Sequence, residues 1–228
     1  MEEKESPGGR LVTKVLAKRV TKAKEVETVR LTFKREGVIG KGSFGVVQLV
    51  RLQRVSPVHG DGEGSGGRLT RLAMKTVGVK QRESRELGIL KQLDHPNIVP
   101  LRFFFFSNAK SGQGTTLNLL FDAQPTTVYD ALGELASRGK GWSGAEVAQY
   151  GSQLGAGLAY LHTLSIAHRD IKPRNLLLRP ETSGLQICDL GSACRVGEGA
   201  ALTAYICSRF PASSLPLHPI LIPISNLV

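Results

Sequence analysis

His168-Arg169-Asp170-Ile171-Lys172-Pro173-Arg174-Asn175 is the stretch on which the reading turns. It fits H-R-D-x-x-x-x-N at every fixed position. Asp170 is a carboxylate that can orient a hydroxyl and take its proton. Lys172 places positive charge beside it. Asn175 offers a hard oxygen of the kind that binds Mg²⁺. A polar turn after a helix accounts for the composition, but not for these residues in this order.

Downstream stands Asp189-Leu190-Gly191, with Leu190 where Asp-Phe-Gly is usual. Leu185-Gln186-Ile187-Cys188 reads as a short strand that holds Asp189, by position the second metal ligand. Leucine keeps the apolar packing of phenylalanine with a different shape. Upstream, Gly40-Lys41-Gly42-Ser43-Phe44-Gly45-Val46-Val47 fits G-x-G-x-x-G-x-V. Missing side chains let backbone N–H groups approach phosphate oxygens. The β-branched pair Val46-Val47 predicts a second strand, whereas a dinucleotide-binding motif opens a helix. No Gly-Lys-Ser/Thr closes the loop, which excludes a Walker-type site. Lys75, in Leu72-Ala73-Met74-Lys75, is flanked by apolar residues and calls for an anion. ATP phosphates supply one, with a helix carboxylate to hold the lysine. Glu86 is the first candidate and Glu83 the second. Together these groups specify phosphoryl transfer from Mg-ATP to a hydroxyl.

The chain has 228 residues, 41% hydrophobic and 21% charged, which reads as globular. Its net charge of +11 favours phosphate-bearing partners without choosing among them. The stacking aromatics of a nucleic-acid binder are missing, so no specific nucleic acid is expected. Cys188, Cys194 and Cys207 have neither metal-ligand spacing nor the number for a disulfide framework. The N-terminus is polar and acidic, and no apolar run is long enough to span a bilayer. A soluble protein of the cytoplasm or nucleus, with no membrane partner, is expected.

Residues 1–30 read as a basic extension, a solvated tail or exposed helix carrying Lys14, Lys18, Arg19, Lys22 and Lys24. From Leu31 the pattern turns to strands, around Val38-Ile39, Val46–Val50, Leu72–Val77, Val99–Phe106 and Leu117–Phe121. Residues 55–68 read as a flexible hairpin loop. A helix is expected over 81–93, with Leu90 and Leu93 on its apolar side. Ser143-Gly-Ala-Glu146 is a capping box that opens another. Val147, Tyr150, Leu154, Leu158 and Leu161 give that helix one apolar face. The fold class is α+β with two lobes: a strand-rich first lobe over 31–122, then a helical second lobe.

Val38–Val47, Arg85–Val99, Thr127–Tyr129, His168–Leu178, Cys188–Ala193 and Ala204-Tyr-Ile-Cys-Ser-Arg209 resemble glycogen synthase kinase 3 (shaggy-type) kinases. The resemblance covers roughly residues 31–210. It implies a protein-kinase-like fold and a serine/threonine kinase, in keeping with Lys172, acting on protein substrates that include ones already phosphorylated nearby. By match to the family, Phe121 guards the back of the adenine pocket, and the backbone of Asp122 and Ala123 forms the hinge. Ile39, Val47, Ala73, Leu177 and Cys188 line the pocket with Gly40, Gly42 and Gly45 above it. Tyr205 is the activation-loop tyrosine. Arg85 and Arg169 are two of the family's three cations for a priming phosphate. The third position is Cys194 here, with Arg195 beside it as a substitute.

After Arg209 the resemblance stops. The family continues with Arg-Ala-Pro-Glu and a series of helices, whereas Phe210-Pro-Ala-Ser-Ser-Leu-Pro-Leu-His-Pro219 begins an apolar, proline-rich tail over 211–228. The expectation is a partial second lobe over 123–210, without the family's scaffold-docking surface. Uncovering about five apolar side chains of the helix after Ser143 forfeits roughly 7–15 kcal/mol, against a net stability of about 5–15 kcal/mol for a whole domain. The alternative reading is a catalytically silent ATP-binding module.

Overall fold

A computed structural model describes residues 2–5, 11–42, 45–58, 70–79, 84–109 and 114–196. The first lobe is an antiparallel sheet of β1 (Glu2–Glu5), β2 (Leu11–Val20), β3 (Val26–Gly42), β4 (Gly45–Pro57), β5 (Thr70–Val79), β6 (Leu101–Asn108) and β7 (Thr115–Asp122). The strand order is β1-β2-β3-β4-β5-β7-β6, and β2 pairs a second time, with β6. Lys18 stands opposite Phe104 across that seam and Arg19 opposite Phe103. The sheet therefore closes into a barrel, which pairs two edges that would otherwise stand open.

Side chains alternate between the two faces of a strand. Val15, Ala17, Val29, Leu31, Phe33, Val50, Leu72, Met74, Phe103, Phe105 and Leu120 fill the interior. Phe104 and Phe106 take the other face of β6 and pack with Leu87, Leu90 and Leu101. This explains Phe103-Phe104-Phe105-Phe106: both faces of β6 are buried, so alternation with polar residues disappears.

The barrel corrects the reading of residues 1–30. Residues 11–20 are neither a tail nor a helix but a full partner of β3, with Val12 opposite Lys34 through to Val20 opposite Val26. Thr13, Val15 and Ala17 are buried while Lys14, Leu16 and Lys18 are exposed. The period-two pattern is in the sequence, masked by the lysines on its outer face. Two cations of this region, Arg19 and Lys24, are engaged. Arg19 pairs with Glu27 at 2.8 Å and lies over the Phe103 ring. The Lys24 ammonium donates to the Leu93 carbonyl and faces Asp94. The turn between β2 and β3 is thus tied to the chain leaving the first helix.

That helix, α1, spans Arg85–Leu90, shorter than the expected 81–93. The Gln92 amide bonds back three residues to Ile89, which tightens the last turn and ends the helix. Leu90 and Leu93 are buried as expected, while Glu83 lies outside the described residues. β4 runs on to Pro57 through part of the expected loop; residues 59–69 lie outside the described residues.

The second lobe holds β8 (Thr126–Thr127), α2 (Val128–Ser137), α3 (Gly144–Thr163), β9 (Ile166–Ala167), β10 (Leu176–Arg179), β11 (Gly184–Ile187) and β12 (Cys194–Arg195). The capping box forms as read: Glu146 N–H donates to Ser143 Oγ, and the Ser143 amide donates to Glu146 Oε2 at 2.8 Å. Hydrogen bonds from the Ser143 amide and hydroxyl hold the Glu146 carboxyl below its usual range. Tyr150, Leu154 and Leu158 pack on Leu176, Leu178, Leu185 and Ile187, and Leu161 is fully buried. Val147 breaks the expected face. It sits in the first turn, beyond that cover, and is 54% exposed. Among the described residues no helix is long and apolar enough to cross a membrane.

Candidate active site

The glycine-rich hairpin is the end of the β3–β4 ladder. Gly40 pairs with Val47 and Gly42 with Gly45, and residues 43–44 lie outside the described ones. Gly45 has φ +124°, and a Cβ there would stand 2.2 Å from the Thr76 carbonyl oxygen. Gly40 has only ordinary contact with Val47, at 3.7 Å. The third glycine is thus required by the approach of β4 to β5 as well as by any phosphate. Gly45→Ala is expected to cost at least about 1–3 kcal/mol through backbone strain. Gly40→Ala serves as the tolerated control, and denaturant midpoints of the two variants check the ranking.

On β5, Leu72 and Met74 point into the barrel, so Ala73 and Lys75 occupy the opposite face. Ala73 stands opposite Phe121, and Val47 opposite Lys75. Ile39 is 59% exposed, while Val47, Ala73, Phe121, Leu177 and Cys188 are half-buried. Leu177 projects to the side of β10 away from buried Leu176 and Leu178. At the hinge, Asp122 receives two hydrogen bonds from Arg102, at 2.7 and 2.9 Å. The Ala123 amide donates to the Arg71 carbonyl at 3.2 Å. That amide belongs to the sheet. The carbonyls of Asp122 and Ala123 remain as candidates, with the amide of Gln124 next in line.

Lys75 binds two carboxylates at once, Glu86 Oε1 at 2.6 Å and Asp189 Oδ1 at 2.7 Å. Burial acts to depress the Lys75 ammonium, but Glu86 and Asp189 outweigh it and hold the proton more firmly than usual. Burial pushes the Glu86 carboxyl up, with Lys75 pulling against it. Glu86, the first of the two glutamates considered, is brought to the lysine.

Asp170 Oδ2 accepts from Lys172 Nζ at 2.7 Å and from Asn175 Nδ2 at 3.0 Å. Asn175 Nδ2 also donates to the Asp170 carbonyl at 2.8 Å, so its Oδ1 is the atom left for a cation. Asp189 adopts φ +61°, which aspartate tolerates better than most residues. Its Oδ1 accepts from the Gly191 amide at 3.3 Å. Two hard oxygens, from an amide and a carboxylate, fit a Mg²⁺ that takes its other ligands from phosphate and water.

His168 joins the backbones of the two segments that carry the aspartates, a link that sequence reading quoted but did not assign. His168 Nδ1 accepts from the Asp170 amide at 3.3 Å, and Nε2 faces the Cys188 carbonyl at 3.0 Å. That pair of bonds needs a neutral ring with its proton on Nε2. Burial favours this form by pushing the His168 pKa down. Cys188 N–H in turn donates to the Asn175 carbonyl at 2.9 Å. Burial pushes the Cys188 thiol up to about 12, so it lines the pocket as an uncharged group. Asn97 is a second residue missed. Its side chain donates to the Leu185 carbonyl at 2.9 Å, and its own carbonyl accepts from Ile187 at 2.8 Å, docking β11 on the segment that follows α1. Leu190 packs with Leu87, Leu90 and Leu101, so the leucine does fill the apolar slot expected of it.

The anion cluster is only partly assembled. Arg169, at φ +67°, donates from Nε to the Ser192 carbonyl at 2.6 Å, and Arg85 is exposed. Cys194 is buried. Arg195 points to the other face of β12, where it binds the Gln92 side chain and the Leu164 carbonyl. Strand alternation therefore prevents Arg195 from standing in for Cys194, against expectation. Tyr205 and the tail 211–228 lie outside the described residues.

Comparison with known proteins agrees with this geometry. The family model described as protein kinase domain matches residues 33–212. Protein kinase gsk3 of Schizosaccharomyces pombe is 37% identical over 185 residues, 81% of this chain and 44% of its own length. Glycogen synthase kinase 1 of Pyricularia oryzae is 40% identical over 185 residues, with the same shares covered. Serine/threonine-protein kinase RIM11/MSD1 of Saccharomyces cerevisiae is 35% identical over 186 residues, 81% of this chain and 46% of its own length. The chain thus spans less than half the length of these curated relatives.

Proposed function

Since the chain belongs to the protein kinase domain family, we propose that it carries the ATP-binding and transfer machinery of a serine/threonine protein kinase. Lys75 carries the reading: it is held by Glu86 on α1 and meets Asp189 beneath the glycine-rich hairpin. Mg-ATP would supply the γ-phosphoryl group. Lys75 orients the α- and β-phosphates, and Glu86 fixes the lysine. Asn175 Oδ1 and the Asp189 carboxylate hold the metal. Asp170 takes the proton of the substrate hydroxyl, and Lys172, already at Asp170 Oδ2, stabilises negative charge on the moving group. Val47, Ala73, Phe121, Leu177 and Cys188 enclose the base. In this reading the described residues from 11 to 122 belong to the first lobe, and residues 123–196 to the part of the second that carries the catalytic loop. A cytoplasmic or nuclear setting belongs to the same reading, in line with the free thiols of Cys188 and Cys194.

Substrates are proteins. Recognition of a priming phosphate by this chain rests on Arg85 and Arg169 without a third cation from β12. Losing one charge-assisted contact of about 1.5–3 kcal/mol weakens that preference. The deciding experiment measures transfer from labelled Mg-ATP to serine peptides, with and without a phosphoserine nearby, beside a thermal-shift titration with Mg-ATP. Transfer together with a nucleotide-dependent shift is expected. A shift without transfer makes the chain a silent ATP-binding module, and the absence of both transfer and shift overturns the proposal.

A further inference from the structure

Arg174 belongs to the turn that carries Lys172 and Asn175, and none of the roles above uses it. The turn is a 3-10 helix, Pro173–Asn175, at the foot of α2. The guanidinium carbon of Arg174 lies 3.5 Å from the centroid of the Tyr129 ring. Tyr129 is the second residue of α2, is 49% exposed, and meets solvent together with Arg174.

A guanidinium resting flat on an aromatic ring gains cation–π attraction and keeps its in-plane N–H donors open at the edge. The stack also restrains a long side chain that otherwise samples many rotamers. A carboxylate nearby would neutralise the charge. The adjacent Asp130 does not: its Oδ2 accepts from the Thr127 hydroxyl, whose oxygen accepts from the Asp130 amide. Among the described residues no hydrogen bond or ion pair engages Arg174. A pre-oriented cation with this fork geometry is suited to bidentate contact with carboxylate or phosphate.

Its place in the fold says what part of a substrate it would meet. Asn175, the next residue, touches both the carbonyl and the carboxylate of Asp170. Arg174 diverges from that pair toward α2. An acceptor hydroxyl at Asp170 therefore leaves its flanking residues, rather than itself, beside Arg174. We propose that Arg174, seated on Tyr129, is a specificity-determining residue that binds an anionic side chain, carboxylate or phosphate, flanking the phosphorylated residue. This rests on the kinase reading for the placement of the acceptor at Asp170. It is independent of Arg85 and Arg169, which lie on other elements.

The test uses the full chain and three fluorescent serine peptides, identical except that the residues flanking serine are alanine, glutamate or phosphoserine. Anisotropy titrations give binding, and labelled Mg-ATP gives transfer. The glutamate and phosphoserine peptides are expected to bind roughly tenfold tighter than the alanine peptide, about 1.4 kcal/mol. A gain for both anions marks charge recognition, and a gain for phosphoserine alone marks phosphate. Arg174→Gln should bring the three within about twofold, with alanine-peptide binding and the Mg-ATP thermal shift unchanged. Tyr129→Phe should keep the preference and Tyr129→Leu should reduce it, which a mere structural pin between α2 and the turn would not do. Equal binding of the three peptides by the unaltered chain, or a preference that survives Arg174→Gln, overturns the inference. Preference without transfer sinks the catalytic reading and keeps this one; transfer without preference does the reverse.

Discussion

Asp170→Asn is expected to slow phosphotransfer about 10²–10⁴-fold while Mg-ATP binding survives. The size follows from what the carboxylate does. Its Oδ2 holds Lys172 at 2.7 Å and Asn175 at 3.0 Å, so it positions both neighbours. An asparagine can keep one acceptor oxygen there but cannot take up a proton. Nucleotide contacts on the barrel side, from Lys75 and the hairpin, are untouched. Single-turnover transfer from labelled ATP separates chemistry from product release. Equal rates for the two proteins would show that the measured transfer belongs to a contaminant.

Lys75→Met is the other large effect, and it acts on stability as well as turnover. Lys75 and Glu86 side chains are each only 9% exposed. Removing one partner of a buried pair leaves the other charge uncompensated, at about 3–5 kcal/mol. The loss depends on pH, with a definite sign. Burial already holds Glu86 above its usual range, and Lys75 is what pulls it back. Without the lysine the folded-state pKa rises further above the unfolded value. A carboxyl raised in this way leaves stability intact below its unfolded pKa and lowers it as pH climbs through the folded pKa. The stability gap between Lys75→Met and the parent is therefore expected to be widest near pH 8 and narrower near pH 5. Denaturant titrations at the two pH values check this, and a gap that widens on acidification contradicts it.

Much of this site was legible because its chemistry is written in contiguous strings. Asp170, Lys172 and Asn175 lie within one turn, and Asp189 follows a readable strand. Glu86 was readable as the first candidate from its place within the helix, and the seating of α1 puts its carboxylate on Lys75. His168 escaped assignment because its role is to join backbone atoms of two segments, which leaves no periodic signal. The Arg174–Tyr129 stack is invisible for the same reason, since it needs the turn and α2 brought together. Arg195 was misjudged because adjacency in sequence means opposite faces in a strand. In the fold, the strands after Leu31 were plain from β-branched runs. β2 was hidden because an outward row of lysines made it look like solvated chain, although Thr13, Val15 and Ala17 kept the inward row.

The seam between β2 and β6 fixes an order of events during synthesis. Residues near Lys18 find their last partners at Phe103 and Phe104, far along the chain. A growing polypeptide emerging from the ribosome can zip β2 to β3 early, but it must hold Val15 and Ala17 half-covered until β6 appears. A strand made well before β6 is thus sealed only when β6 arrives, and contacts so distant in sequence are slow to form. During that interval the open edge of β2 is where a nascent chain of this kind most needs a chaperone.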